Sequence, residues 1–108
     1  MFWKVGKYVF EKHQTVENII CKVSDFYSYK YGLNYTFSIY NINMMKCFYL
    51  YFPVYSKKLE NLSWNHYLEL IKICDNNKRN FYFMVSMFCD FSVEEMLFCL
   101  NNFCYERI

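Results

Sequence analysis

Apolar residues recur along this chain at intervals of three and four, the spacing that lines them up on one face of an α-helix. Phe2, Val5 and Val9, with Phe10 beside them, share a side over Phe2 to Lys12. From about Val16 to Tyr31 the stripe is Val16, Ile19, Ile20, Val23, Phe26 and Tyr27. Between Ser38 and Phe52 it is Ile42, Met45, Phe48, Tyr49 and Phe52. Trp64, Tyr67, Leu68 and Ile71 mark a fourth segment, Trp64 to Cys74. A fifth, Asn77 to Phe88, turns Phe81, Tyr82, Val85 and Phe88 inward, and a sixth does the same with Val93, Met96, Leu97, Leu100 and Cys104. Many of these residues are aromatic or β-branched and favour strands by propensity. The period outranks that preference, because it decides which side chains can be buried together.

The polar residues between the stripes punctuate them. Thr15 is the expected N-cap of the second helix, and Gly32 stands where a left-handed C′ residue would end it. Pro53 closes the third helix. Ser63 caps the fourth, and Asp75 or Asn76 the fifth. Ser92-Val93-Glu94-Glu95 is a capping box opening the sixth. Residues 33–37 and 53–62 are left as the main loops. The prediction is an all-α fold: a small bundle of five or six helices, with the second helix, the Gly32 turn and the third helix as a helix-turn-helix-like core. Residues 1–108 read as one domain, without repeat, linker or low-complexity tract.

Composition changes this picture in two ways. A hydrophobic fraction of 56%, with 24% aromatic, supplies ample core. A chain this short hides a smaller share of its surface than a larger one, so part of the Phe and Tyr must stay exposed or meet a partner. The net charge of +2 falls short of the basic footprint of a strong nucleic-acid binder. Only Lys57-Lys58 and Lys78-Arg79 are adjacent cations.

The chain offers little chemistry. Cys21, Cys47, Cys74, Cys89, Cys99 and Cys104 include no C-x-x-C pair, and neither His13 nor His66 is near them in sequence. The expectation is reduced, buried thiols in a cytoplasmic protein, with no metal and no cofactor. Lys4 and Lys7 interrupt the one apolar stretch near the N-terminus, so no signal peptide is read there. The longest charge-free run, Tyr31 to Met45, is too short to cross a bilayer. A hydrolytic metal site of the nuclease kind needs an acidic residue two places before a lysine, and no D-x-K or E-x-K occurs. No Gly-rich phosphate loop or H-E-x-x-H is present either. His66 is the nearest to a general base, but it falls in the first turn of a helix, where local hydrogen bonding is its ordinary use. Trp64 and Tyr67 could stack on bases, although their spacing beside Leu68 and Ile71 is that of a core. No enzyme activity and no small-molecule substrate are expected.

Five pieces stand in an order that resembles a family. They are Phe2-Trp3-Lys4-Val5-Gly6-Lys7-Tyr8-Val9; Phe37-Ser38-Ile39-Tyr40-Asn41-Ile42 through Met45 and Phe48-Tyr49; Ser63-Trp64-Asn65-His66-Tyr67; Arg79-Asn80-Phe81-Tyr82; and Phe91-Ser92-Val93-Glu94-Glu95-Met96. Together they resemble the DUF1016 N-terminal (YhcG-like) domain, a helical domain that usually precedes a PDDEXK-type nuclease domain. The resemblance implies a non-catalytic module that binds nucleic acid, DNA above all. Against it, the chain opens partway into the family's first helix, the nuclease domain is absent, and Ile39, Asn43, Met44 and Glu94 stand where the family tends to have Arg.

Within that reading the third helix turns Tyr40 and Asn43 outward. Asn43 is suited to read adenine, and Lys46 to take a phosphate at the edge of the face. Lys57, Lys58, Lys72, Lys78 and Arg79 are candidates for backbone contacts. The expected partner is DNA, held with modest and salt-sensitive affinity, with a PDDEXK nuclease domain in trans or a second copy of the chain as further partners. The alternative is a protein-interaction or oligomerisation module, or a shortened remnant, because Ile39, Met44 and Leu50 make the same face apolar.

Overall fold

A computed structural model of the chain describes residues 2–13, 15, 17–32 and 35–107. Among them it is all-α, as the periodicity predicts. The helices are α1 (Phe2–Lys12), α2 (Ile19–Tyr31), α3 (Ile39–Tyr51), α4 (Trp64–Ile71), α5 (Asn76–Phe88) and α6 (Val93–Asn101), with short 3-10 turns at Tyr35–Phe37 and Lys57–Asn61. They form two compact units, residues 1–55 and 56–108.

In the first unit α1 lies against α3, and α2 packs on both. Val5, Val9, Ile19, Val23, Ile42, Met45 and Phe48 are its buried apolar side chains on the helices. Gly6 sits at the crossing of α1 and α3, where a Cβ would stand 1.9 Å from the Met45 carbonyl oxygen. The indole N–H of Trp3 donates to the Phe52 carbonyl at 2.7 Å, closing the C-terminal end of α3. At the other end, Ser38 Oγ accepts from the Asn41 N–H and caps the helix. The loop ahead of α3 is more structured than its sequence suggests. Phe37 is buried and stacks on Tyr27 with ring centres 4.4 Å apart, while Ser24 Oγ donates to the Phe37 carbonyl.

The start of α2 differs from the expectation. Thr15 is not its N-cap: the Thr15 hydroxyl bonds back to the Lys12 carbonyl, and the helix begins at Ile19 after Asn18, which has φ 56° and makes no side-chain cap. Val16 lies outside the described residues. Ile19 and Val23 are buried, but Phe26 is exposed. Gly32 does end α2, with φ 87° and ψ 165°, a region open to glycine and strained for other residues.

The second unit is built on α4, α5 and α6. All three expected caps are present. Ser63 Oγ accepts from the His66 N–H, Asp75 Oδ1 from the Lys78 N–H, and Ser92 with Glu95 forms the reciprocal box. Tyr67, Leu70, Tyr82 and Met96 are almost fully buried. The inward face of α5 is rotated from the predicted one: Arg79, Tyr82, Phe83 and Ser86 point in, and Phe88 stands 72% exposed. The cysteines are also not where apolar character would put them. None is fully buried, and Cys21, Cys74 and Cys89 are exposed. No helix among the described residues is long and apolar enough to cross a membrane.

Candidate functional site

The eight expected contact residues divide between the two units. Tyr40, Asn43 and Lys46 share α3. Tyr40 is 60% exposed, so the face that bears it is open. Asn43 and Lys46 are half-buried, and the Asn43 amide donates to the Ile39 carbonyl one turn back at 3.1 Å. One of its donors is therefore engaged by its own helix. Ile39 is exposed next to Tyr40, and Leu50 and Tyr51 are exposed at the other end of the helix.

In the second unit Lys57 and Lys58 are exposed on the 3-10 turn. Lys72 pairs with Glu69 at 3.2 Å, and Lys78 with Glu106 at 2.8 Å. The Glu106 carboxylate holds the Lys78 ammonium above its ordinary value, and Lys78 holds the carboxyl below its own. Arg79 is corrected outright: it is only 4% exposed. Its guanidinium donates to the Ile73 carbonyl and to Asn76 Oδ1. A phosphate could reach it only by opening the unit.

His66 is also spoken for. It is buried, and the Ser63 backbone N–H donates to its Nδ1 at 3.1 Å. Because Nδ1 accepts, Nε2 carries the proton and donates it to the Phe91 carbonyl at 2.8 Å. The imidazole thus serves as the acceptor of a capping box and ties α4 to the residue ahead of Ser92. Neither nitrogen is left to act as a base. Tyr67, two per cent exposed, gives its hydroxyl to the Leu59 carbonyl, and burial pushes the phenol well above its ordinary value. Stacking on bases is closed to it. Among the described residues, no group of three or more His, Cys, Asp or Glu side chains is placed to hold a metal ion.

The electrostatics separate the units more sharply than the sequence suggests. Residues 1–55 carry Lys4, Lys7, Lys12, Lys22, Lys30 and Lys46 against Glu11, Glu17 and Asp25. Residues 56–108 carry six cations against seven carboxylates: Glu60, Glu69, Asp75, Asp90, Glu94, Glu95 and Glu106. The net charge of +2 is therefore +3 on the first unit and −1 on the second. The two ion pairs described above both lie in the second unit. In the first, Lys7 lies over the Trp3 ring at 5.6 Å and Lys30 over the Tyr31 ring at 5.3 Å.

A groove of about 860 Å³ opens between α1 and α2. Its walls bring Lys4 and Tyr8 from α1 together with Lys22 and Phe26 from α2. Sequence reasoning missed these four residues. The signal was present: on two successive helices a lysine precedes an aromatic residue by one turn, at 4 and 8 and at 22 and 26. The place of Phe26 in the α2 stripe predicts a core residue, but it is 58% exposed.

The sequence model of the DUF1016 N-terminal domain matches residues 1–107. No curated protein and no solved structure matches the chain at a significant level.

Proposed function

The chain belongs to the DUF1016 N-terminal domain family, and from that membership and the charge of its first unit we propose that it is a non-catalytic nucleic-acid-binding module of the cytoplasm, with DNA as its partner. The unequal charge of the units carries the reading. Six lysines in residues 1–55 stand against three carboxylates, an excess of positive charge that favours a polyanion, and Lys30 lies over the exposed Tyr31 ring. In this reading α2, the Gly32 turn and α3 form the helix-turn-helix element, with Tyr40 toward the bases and Lys46 toward the backbone.

Measuring the affinity for a short DNA duplex across a salt series tests it. Log affinity should fall linearly with log salt, with a slope of about 0.9 for each phosphate contacted. Lys46→Ala should weaken binding to all sequences alike. A salt-independent affinity, or none, defeats the proposal.

One observation favours a second reading. α3 exposes Ile39 and Tyr40 at one end and Leu50 and Tyr51 at the other, apolar surface suited to another protein chain. A mass above the monomer in gel filtration, reduced by Leu50→Glu, distinguishes that reading from the first.

A further inference from the structure

We propose that the groove between α1 and α2 takes unpaired bases of a single-stranded nucleic acid, stacking them on Tyr8 and Phe26 while Lys4 and Lys22 hold the flanking phosphates. This rests on the nucleic-acid reading above and assigns it a second surface, separate from α3.

The argument begins with what a ligand would touch. Val5, Ile19 and Val23 line the groove but are only 6%, 5% and 8% exposed, since they are used in the core of the unit. Tyr8 and Phe26 are 51% and 58% exposed. The accessible lining is therefore rings and ammonium groups with little aliphatic surface. An amphipathic protein helix would need that aliphatic floor to bury its own stripe. A base needs only a π-face, and every base has one.

Charge points the same way. Among the described residues, the charged members of the lining are Lys4 and Lys22, one from each helix, and both are exposed. A strand laid along the groove meets a cation on each wall. Phe26 is already set edge-on against Tyr27, with centres 5.2 Å apart and planes at 86°, so less rotamer freedom remains to be lost on stacking. A duplex offers no free base faces to these rings, because its own stacking and pairing use them.

The test is fluorescence anisotropy with a labelled twelve-thymidine strand, and with the same strand annealed to its complement. The single strand should bind more tightly than the duplex. Tyr8→Ser with Phe26→Ser should cost the single strand about tenfold or more in affinity and leave duplex binding unchanged. Both side chains are half exposed, so the fold should survive, as circular dichroism would show. Independently, Lys4→Gln with Lys22→Gln should lower the salt slope for the single strand by about 0.7 per lost phosphate contact. If the duplex binds and neither pair of substitutions changes single-strand binding, the groove assignment is overturned while the nucleic-acid reading stands. If neither probe binds, both fall. If a designed helical peptide with leucines flanked by glutamates binds the groove and the thymidine strand does not, the site belongs to a protein partner.

Discussion

Gly6 of α1 lies directly against the backbone of Met45 in α3. A Cβ at Gly6 would stand 1.9 Å from the Met45 carbonyl oxygen and 2.5 Å from its carbon. Those atoms belong to a helix backbone and cannot swing aside. Gly6→Ala should therefore force α1 and α3 apart and loosen the cover over Val9 and Ile42, both fully buried. Overpacking of this kind costs about 1–3 kcal/mol and sometimes more. The melting temperature should fall clearly. Gly32→Ala should also destabilise, but by a different cause: no atom of the described residues lies within 4 Å of a Cβ there, and the φ of 87° alone opposes it. A stable Gly6→Ala protein would mean that the helices do not cross this closely.

His66 should show the Nε2-protonated tautomer, since the Ser63 N–H can only donate to Nδ1. Long-range proton–nitrogen spectra read this directly. His66→Ala removes the partner of two backbone groups, Ser63 N–H and Phe91 C=O. Ser63 is exposed and Phe91 half-buried, so water can replace part of what is lost, and the melting temperature should fall by less than the full cost of about 1–3 kcal/mol for each buried group left unpaired. A proton found on Nδ1 would contradict the geometry.

These two residues show how far the sequence could be read. Gly6, His66, Tyr67, Arg79 and Tyr82 all fall in the pieces that carry the family resemblance, and each has a structural use. Gly6 admits a helix, His66 and Tyr67 fasten backbone, Arg79 fills a buried corner, and the Tyr82 hydroxyl accepts the Tyr105 N–H. The helices and most caps were legible because period and capping chemistry are local. Where the candidate surface lies was less so. Periodicity assigned Phe26 and Phe88 to the interior, but a stripe wider than its neighbour leaves its edge outside, and stripe width relative to a packing partner is a tertiary property. No local pattern distinguishes a guanidinium such as that of Arg79, which bonds the Ile73 carbonyl, from one in water. The charge imbalance between the units depends on a boundary near residue 55, which composition does not mark.

The Lys78–Glu106 pair makes a prediction in pH. Glu106 has its folded-state value below the ordinary 4.5, chiefly through the hydrogen bond from Lys78. Its contribution is thus fully present above the ordinary carboxylate range and is lost as pH falls through the folded value. Lys78 is raised above 10.5, again chiefly by that bond, so its contribution is present below 10.5 and is lost as pH rises through the raised value. Both groups are solvated, so the effect is small. Glu106→Gln should flatten the acid limb of the melting-temperature profile and leave the midpoint near neutrality little changed. An acid limb identical to that of the parent protein would show that the pair contributes nothing.

Cys99 and Cys104 meet across the end of α6. Phe103 has φ 57°, and the Cys104 N–H bonds the Cys99 carbonyl at 3.1 Å while Phe103 N–H bonds that of Leu100. That is the paired hydrogen bonding of a Schellman motif, which sets these two side chains together. A hydrogen bond to Cys104, then burial, raises the Cys99 thiol above its ordinary value. Since the thiolate is the reactive form, Cys99 should alkylate more slowly than the exposed Cys21 and Cys74. Cys104→Ala should speed it, as site-resolved mass spectrometry of iodoacetamide labelling would show. Equal rates at Cys99 in the two proteins would refute the contact.

Arg79 and Lys46 separate stability from binding. The Arg79 fork satisfies the Ile73 carbonyl and Asn76 together, and a lysine, with a single compact donor group, cannot reproduce that geometry. Arg79→Lys should therefore lower the melting temperature almost as far as Arg79→Ala. Neither change should alter the salt slope of nucleic-acid binding in the folded protein, because a buried guanidinium releases no counterion. Lys46→Ala should do the reverse: half-buried on the edge of α3, it should leave melting nearly unchanged and reduce the slope by about one contact. The two phenotypes must not coincide in one residue. If Arg79→Lys were to melt like the parent and lose affinity for DNA, the guanidinium would have to lie at the surface, and the packing described for α5 would be wrong.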